Sequence, residues 1–484
     1  MSLRTSLRRV VSLPAAALAG SAALVLGGGP ALANLALTQV SSDPFTNTTS
    51  QHRTQVEPDT FSYGGTIVSA FQTGRFFDGG SSDICFATSS DSGATWTNGC
   101  LPGVTKFLGG GPYDRVSDPS VAYDARHNVW MISGLAITDS SGVVGQAVVT
   151  SRSTDGGHTW ANPVVTRNAT GSANLDKNWI VCDDTASSPS YGHCYTEYDD
   201  NGAGNRIHMS TSTDGGLTWT DATTSSTGLG GQPVVRPNGT VLVPYESNNG
   251  QIRSFRSIDG GATWRSSVLI ASVQSHTVAG NLRTSPLPSA EIDSAGTAYV
   301  VWQDCRFQSG CPANDIVMSK STSETTWGAV TRVTSDGGDH FIPGIGVDRT
   351  TAGGTAKLAV AYYRYPTAGC TASTCQLTAG YTSSTNGGTS WSASTQIAGP
   401  MSLSWVANTS QGAMVGDYIS TSISGGRAWP VLAIANAPSG STLDEAMYVP
   451  TGGLAINGGA RSAAVAPLVT SGHQPPMSST TTRR

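Results

Sequence analysis

The sequence has little charge, no extended helical pattern and none of the motifs that mark a cofactor site. Only 12% of its 484 residues are charged, and the formal net charge is −5. This balance gives no reason to expect nucleic acid or an anionic membrane as a partner. There is no C-x-x-C motif and no group of neighbouring histidines, so a zinc site is not indicated. Nothing indicates a coiled coil, and we expect a monomer without cofactor or metal.

Long hydrophobic runs are absent after the first 33 residues, so no later segment predicts a membrane span. Residues 1–33 carry three arginines before residue 10, an apolar run over 10–26 and the tripeptide Ala31-Leu32-Ala33. This order is typical of an export signal that is cleaved before Asn34. A membrane anchor is the alternative, but small residues interrupt the apolar run. The sequence therefore predicts a secreted, extracellular protein.

The eight cysteines all follow the predicted signal and fall into couples that are close in the sequence. Each couple brackets a predicted turn or loop, and in an oxidising compartment the simplest interpretation is four local disulfides. The predicted pairs are Cys85/Cys100, Cys182/Cys194, Cys305/Cys311 and Cys370/Cys375.

A short glycine-containing segment recurs along the chain, each time after an alternating strand pattern. Asp, Asn and Ser cap backbone N–H groups in tight turns, glycine supplies positive φ, and Thr-Trp suits the start of a returning strand. Four copies are clear, one is weaker and one is degraded, and such repetition indicates a repeat architecture. The copies are 89–96, 153–160, 212–219 and 257–264, then 384–391 and 321–327.

The spacing of these hairpins predicts an all-β fold, a β-propeller of four-stranded antiparallel blades. We count seven blades over residues 34–453, with six as the alternative if the first or last unit is incomplete. The segment from Asn34 to Arg53 is expected to form an arm or the last strand of a closing blade. A solenoid is disfavoured because no terminal capping elements are evident. Residues 454–484 are rich in small and polar residues and predict a disordered tail.

Propeller geometry separates the acidic residues of this chain into two groups. The Asp of each repeated turn lies far from the channel mouth, so a structural role is expected there rather than Ca²⁺ binding. Residues that open first strands and close second strands converge at the mouth instead, and a polar site is predicted there. For each single residue the alternative is a solvated loop charge or a salt bridge between blades. The candidates are Glu57, Arg75, Arg115, Asp118, Asp176, Lys177, Glu246, Arg283, His340, Asp417 and Tyr418.

The repeated S-x-D-x-G-x-T-W resembles the Asp-box (BNR) repeat of sialidases and their relatives, over nearly the whole mature chain. The first unit also resembles theirs: 68–75 reads like the family's strand ending in G-R, which matches Arg75 to a family arginine. The family's preceding R-I-P tripeptide is Val56-Glu57-Pro58 here, so its arginine is replaced by Val56. The repeat is specific for the fold and not for one activity.

The resemblance implies a chemistry for the channel mouth. Sialidases clamp the sugar carboxylate with arginines, use a Tyr with a neighbouring Glu as nucleophile, and use an Asp as acid/base. Arg115 and Arg283 could then act as clamps. Tyr418 could act as nucleophile with Glu57 or Glu246 as its base, and Asp118 as acid/base. A packed strand residue is the alternative for Tyr418. We expect Arg75, Asp176, Lys177, His340 and Asp417 to contact substrate.

Two functions remain open from the sequence. The first is a secreted, sialidase-like glycoside hydrolase of the exo type that acts on extracellular glycans. The second is a non-catalytic propeller that binds glycan or protein. Carboxyl groups about 5–10 Å apart at the channel mouth would favour hydrolysis, and scattered charges would favour binding.

Overall fold

A computed structural model describes residues 34–140, 142–459 and 461–465, and the predicted export signal lies outside them. The described chain is built from antiparallel β-strands, with short 3-10 helices at Asn201–Ala203, Ala279–Asn281, Gly353–Thr355 and Leu403–Trp405. None of the helices in these residues is long and apolar enough to cross a membrane. The predicted all-β class is confirmed.

The first short strand, β1 (Leu37–Gln39), precedes three groups of four strands, each called a sheet below, in which consecutive strands pair. A pairing of Ser81 with Val116 joins the first group to the second, and Gly228 pairs with Ser247 to join the third to the one after it. The first sheet contains β2 (Gln55–Tyr63), β3 (Thr66–Arg75), β4 (Ser81–Ser89) and β5 (Thr97–Cys100). The second contains β6 (Arg115–Asp124), β7 (Val129–Thr138), β8 (Val144–Ser153) and β9 (Val164–Asn168). The third contains β10 (Leu175–Cys182), β11 (Cys194–Asp200), β12 (Arg206–Ser212) and β13 (Thr220–Leu229).

Three further sheets repeat the same order. The fourth contains β14 (Val234–Val235), β15 (Val241–Ser247), β16 (Gln251–Ser257) and β17 (Arg265–Ser272). The fifth contains β18 (Ser289–Ile292), β19 (Ala298–Asp304), β20 (Asp315–Ser321) and β21 (Thr331–Arg332). The sixth contains β22 (Asp339–Val347), β23 (Leu358–Tyr365), β24 (Gln376–Ser384) and, after the short β25 (Ser390–Trp391), β26 (Thr395–Ser402).

The last part of the chain joins both ends of the described residues. A hairpin of β27 (Ala407–Thr409) and β28 (Gly412–Met414) precedes β29 (Thr421–Ser424), β30 (Arg427–Pro430), β31 (Leu432–Ser439) and β32 (Thr442–Pro450). β29 pairs with β30, β31 with β32, and β32 with β1. Two short strands follow: β33 (Leu454–Ala455) pairs with β30, and β34 (Arg461–Ser462) pairs with β25. Residues 454–455 and 461–462 of the predicted tail are thus paired strands, and 466–484 lie outside the described residues.

The first strands of the successive sheets contact one another in chain order. β2 contacts β6, β6 contacts β10, and the contacts continue through β14, β18 and β22 to β29. β29 in turn contacts β2. A cavity of about 30 Å³ is lined by side chains from all of these first strands or the residues beside them. The first strand of every sheet therefore borders a shared central space.

The repeated turns form compact hydrogen-bonded units. In the second turn, Ser153 donates to Asp155 Oδ1, and the backbone N and hydroxyl of Thr159 donate to the two oxygens of Asp155 at 3.0 and 2.6 Å. The copies at Asp91, Asp214 and Asp259 repeat these bonds. The carboxylate of each turn is therefore satisfied locally, as the structural interpretation predicts.

Each turn also packs against the sheet that precedes its own. Trp160 lies 5.6 Å from Phe86 of the first sheet, ring centroid to ring centroid. At Gly157, which has φ +84°, a Cβ atom would lie only 2.7 Å from Val68 of that same sheet. Tryptophan supplies the apolar surface between sheets, and glycine permits both the left-handed turn and its close approach.

All four predicted disulfides are confirmed. They join Cys85 to Cys100, Cys182 to Cys194, Cys305 to Cys311 and Cys370 to Cys375. Four disulfides are typical of a protein that folds in an oxidising compartment.

Candidate functional site

The site begins with an irregularity that four first strands share. Glu57, Asp118, Lys177 and Ile342 have φ between 48° and 55°, and the register of each strand shifts at that point. Positive φ is uncommon for residues other than glycine and often accompanies a functional constraint. Because these bulges interrupt the pleat where the sheets meet, they re-aim their side chains towards the centre.

Three of these residues, together with Asp417, form a buried ion cluster. Lys177 Nζ lies 3.4 Å from Glu57 Oε1 and 3.3 Å from Asp118 Oδ1, and it also donates to the Asp417 carboxylate. Arg283 Nε donates to Asp417 Oδ1 at 2.6 Å, and its Nη2 pairs with the other oxygen. The Lys177 side chain is only 4% exposed. One ammonium therefore holds together carboxylates from three separate parts of the chain.

The three carboxyl groups of the cluster differ in how strongly they hold protons. Burial raises the pKa of Glu57 to about 7 against the opposing effect of Lys177, and burial likewise raises the pKa of Asp118. Burial also acts on Asp417, but Arg283 and Lys177 outweigh it and hold the pKa of Asp417 well below its usual range. Near neutral pH, Asp417 is therefore the fixed anion, while Glu57 can hold or release a proton. The pKa of Asp118 is shifted in the same direction as that of Glu57.

A cleft of about 290 Å³ opens beside this cluster. Five of the residues predicted from the sequence line it: Arg75, Asp118, Asp176, Lys177 and Arg283. The nearby charge of Asp176 contributes to the raised pKa of Asp118. Asn201 donates to Asp176 Oδ2 at 3.1 Å. Asp78 also lines the cleft, which therefore presents three carboxyl groups and three cationic groups to a ligand.

Arg75 is a buried cation that forms no ion pair within the described residues. Its side chain donates to the backbone oxygen of Gly80 at 2.6 Å and lies 3.3 Å from the sulfur of Met414. Burial, together with the charge of Arg283, lowers the pKa of Arg75 to about 10. A guanidinium held this way is stabilised by an incoming anion, because a ligand carboxylate would complete its hydrogen bonding.

An exposed aromatic residue and an ion-paired arginine neighbour Asp78 of the cleft. Phe77 is 53% exposed and precedes Asp78, which lines the cleft. Arg115 donates to Asp78 Oδ1 at 2.5 Å, pairs with Asp139, and packs over the ring of Phe76. The guanidinium of Arg115 is thus engaged by carboxylates of the rim.

Three other predicted residues do not line the cleft. The Tyr418 hydroxyl donates to the Pro119 oxygen at 3.0 Å, and its ring packs against Trp179. His340 is fully buried beside Asn314 and Asp336. Glu246 lies on β15, and burial alone raises its pKa to about 7. Tyr418 still borders the cluster, since Lys177 Nζ lies 5.7 Å from its ring centroid.

The sequence-based candidates omitted several residues that shape the site. Gln72 donates its side-chain amide to Glu57 Oε2 from the neighbouring strand. Its signal is a buried amide side chain three residues before Arg75 on β3. Ser410 and Gln411 also line the cleft, and nothing in the pattern around them distinguishes this hairpin from an ordinary loop. Among the described residues, no group of three or more His, Cys, Asp or Glu side chains is placed to hold a metal ion.

The amino-acid sequence matches no family model and no curated protein. Among solved structures, a protein of unknown function from Dyadobacter fermentans is 18% identical, with 72% of this chain and 98% of that chain covered and a TM-score of 0.45. The intramolecular trans-sialidase of Ruminococcus gnavus is 12% identical, with 69% and 94% covered and a TM-score of 0.46. A Trypanosoma rangeli sialidase is 12% identical, with 69% and 58% covered and a TM-score of 0.47. Similarities this loose carry no argument about chemistry, which has to come from the cleft itself.

Proposed function

We propose that this chain is a secreted glycoside hydrolase of the exo-sialidase type, whose active site is the cleft beside Lys177. The main support is that the cleft combines Asp118, whose pKa is raised, with Arg75, a buried guanidinium that has no carboxylate partner among the residues the structure describes. The first can hold a proton for a leaving group, and the second favours a negatively charged sugar. The proposal includes an export signal over residues 1–33.

The proposed architecture is a seven-bladed β-propeller. The circular contacts from β2 to β29 and back to β2 support it. In this arrangement the seventh blade is composite: β29 is innermost, β30 and β31 share the second position, and β32 follows. β1, from the other end of the described chain, supplies the outermost strand and closes the ring. Residues 454–455 then pair with β30 of this blade, and residues 461–462 pair with β25 of the sixth.

In the proposed reaction, Asp118 donates its proton to the glycosidic oxygen of the leaving group. Asp176 faces the same cleft and serves as the second carboxylate, either as base for water or as nucleophile. Two carboxyl groups in different environments are the arrangement that glycosidases use. Arg75 and Arg283 orient the sugar carboxylate, and Phe77 offers an apolar face at the rim. This departs from the sequence-based role for Tyr418, because its hydroxyl is bonded to Pro119.

The test is turnover of a panel of fluorogenic glycosides that includes sialosides, uronides and neutral sugars. We expect the wild type to cleave an acidic member, and Asp118→Asn to lower kcat by about 100- to 10,000-fold through loss of the general acid. Asp155→Asn, in a turn remote from the cleft, is the matched control and should keep full activity. If the wild type cleaves no member of the panel, the proposal is wrong.

A non-catalytic carbohydrate-binding protein is the second candidate, favoured by one observation. Lys177 bonds to three carboxylates at once, and Arg283 to one of them, so much of the reactive chemistry is neutralised internally. In that case, Asp118→Asn would change affinity on a glycan array, and no variant would change any turnover. The glycoside panel and the array together separate the two candidates.

A further inference from the structure

Two tyrosines lie together at the end of the first strands that is opposite the cleft. Tyr63 ends β2 and Tyr123 lies near the end of β6, whereas Glu57 and Asp118 of the ion cluster lie near the starts of the same strands. The strand from Glu57 to Tyr63 spans about 20 Å. The ring centroids of Tyr63 and Tyr123 lie 4.5 Å apart, and the ring planes are tilted by 36°. The pair therefore forms an aromatic surface that is separate from the candidate active site.

This aromatic surface is open to solvent on a fixed support. Tyr63 is 44% exposed. One face of its ring packs against Tyr123, so the exposed area belongs to the other face and the edge. Tyr123 is itself held in place, because its hydroxyl donates to Asn128 Oδ1 at 2.7 Å and its ring lies 4.9 Å from that of Trp130. The free face of Tyr63 is thus available to a ligand without rearrangement of the rings behind it.

A third tyrosine comes from the loop between β10 and β11, residues 183–193. A disulfide closes this loop at its base. Arg126 Nη1 donates to the backbone oxygen of Tyr191 at 3.0 Å, which ties the loop to the sheet that carries Tyr123. Burial raises the pKa of Tyr63 and Tyr123, and the neighbouring Tyr191 raises both further. Tyr191 therefore belongs to the same group of rings.

The same loop places a carboxyl group beside the tyrosines. Asp184 Oδ1 accepts a hydrogen bond from Ala125 N at 2.9 Å, and its Oδ2 is buried without a hydrogen-bond partner among the described residues. Burial raises the pKa of Asp184 to about 7. After burial, the charge of Asp184 is the largest influence on the pKa of Tyr63. A buried carboxylate with an unpaired oxygen is costly, and a cation placed against the neighbouring rings would compensate its charge.

The charged groups around Asp184 do not supply that cation. Besides burial, Arg349 lowers the pKa of Asp184, and the neighbouring carboxyl groups of Asp124 and Asp183 raise it. Arg349 is engaged elsewhere, because its Nη2 donates to Glu291 at 3.0 Å. The surroundings of the three tyrosines therefore carry an excess of negative charge.

A cation already packs over an aromatic ring in this part of the protein. The guanidinium of Arg349 lies 4.6 Å from the ring centroid of Phe61, two residues before Tyr63 on β2. A quaternary ammonium group is attracted to aromatic faces in the same way. We propose that Tyr63, Tyr123 and Tyr191 bind the quaternary ammonium group of a choline-like ligand, with Asp184 as the counter-charge. This site is independent of the proposed glycosidase and lies at the other end of the central space.

The test compares choline with 3,3-dimethyl-1-butanol, which has the same shape but carries no charge. Titration calorimetry of the full-length protein at about pH 8.5 keeps the Asp184 carboxyl ionised, since its pKa is about 7. We expect choline to bind at least about tenfold more tightly than the alcohol. Equal affinity for the two compounds, or no binding of choline, would overturn the inference. Vesicles of phosphatidylcholine then distinguish the source of the group: sedimentation of the protein with them assigns a lipid headgroup, and its absence a soluble ligand.

Variants locate the binding site. Tyr63→Leu removes the exposed ring and should weaken choline binding about tenfold, whereas Tyr63→Phe keeps the ring and should retain the affinity. Asp184→Asn should also weaken binding, and its matched control is Asp114→Asn, just before β6 at the opposite end of that strand from Tyr123. If Tyr63→Leu and Asp184→Asn both bind choline as tightly as the wild type, the inference is wrong. Asp118→Asn in the cleft should leave the choline affinity unchanged, so failure of the glycosidase proposal would not affect this result.

Discussion

The repeated sheets carry two distinct polar regions. The turn end contains the repeated hairpins, and the central end contains the ion cluster around Lys177. At the turn end, near-identical hairpins satisfy their own polar groups: Asp155 bonds to Ser153 and Thr159, both within four residues. At the central end, Lys177 and Asp417 meet across 240 residues of sequence. The turns are therefore local modules that can be copied, whereas the central cluster exists only when the sheets are assembled. The repeated hairpins therefore belong to the scaffold, and the candidate site is formed by residues that do not repeat from sheet to sheet.

The largest effect on stability is expected at the central end, from Lys177→Met. Removing the buried cation leaves Glu57, Asp118 and Asp417 facing one another, and breaking such a buried pairing costs about 3–5 kcal/mol of unfolding free energy. Urea denaturation near neutral pH measures it. The loss should shrink as the pH falls, because protonated carboxyls no longer repel. Lys106→Met, at a largely exposed ion pair with Asp114, is the control and should cost about 1 kcal/mol or less. Equal losses in the two variants would contradict the central role of Lys177.

Glu246→Gln tests a buried carboxyl group outside the cluster, since no charged group among the described residues shifts the pKa of Glu246. Its pKa rises from 4.5 to about 7 on folding. Below the lower value both states are protonated. Between the two values the unfolded chain releases a proton that the folded chain keeps, so wild-type stability falls with rising pH, by about 3 kcal/mol in total. We expect the Gln variant to lack this decline. Unfolding midpoints measured across this range should coincide at the acidic end and diverge towards about pH 8. Parallel curves would show that burial of Glu246 is not the cause.

The smallest effect is expected at the turn end, from Asp155→Ala. The variant loses hydrogen bonds that are exposed to water, and we expect a cost of about 1 kcal/mol or less with unchanged activity. Thermal unfolding and the glycoside panel measure the two quantities. A change in activity would mean that the turns and the site are coupled and are not independent parts of the fold.

The sequence was sufficient for the local features and insufficient for the site. The hairpins and all four disulfides depend on neighbouring residues, and pattern reasoning found them. It also identified Asp118, Lys177 and Arg283 as candidates, because charge is scarce in this chain and strand openings converge. It could not assign their partners: the Tyr418 hydroxyl bonds to Pro119, 299 residues away. Nor could it reveal that residues 454–455 pair with β30, since a small-residue segment carries no alternating pattern to predict a strand.

The pairing of β1 with β32 has a consequence for biosynthesis. Leu37 pairs with Pro450, so this strand pairing can form only after nearly the whole sheet-forming chain has been synthesised. The covalent cross-links do not share this delay, because each spans only 5 to 15 residues. Each disulfide can therefore form as its own hairpin emerges. The pairing of β1 with β32 depends instead on backbone hydrogen bonds and packing, which form reversibly.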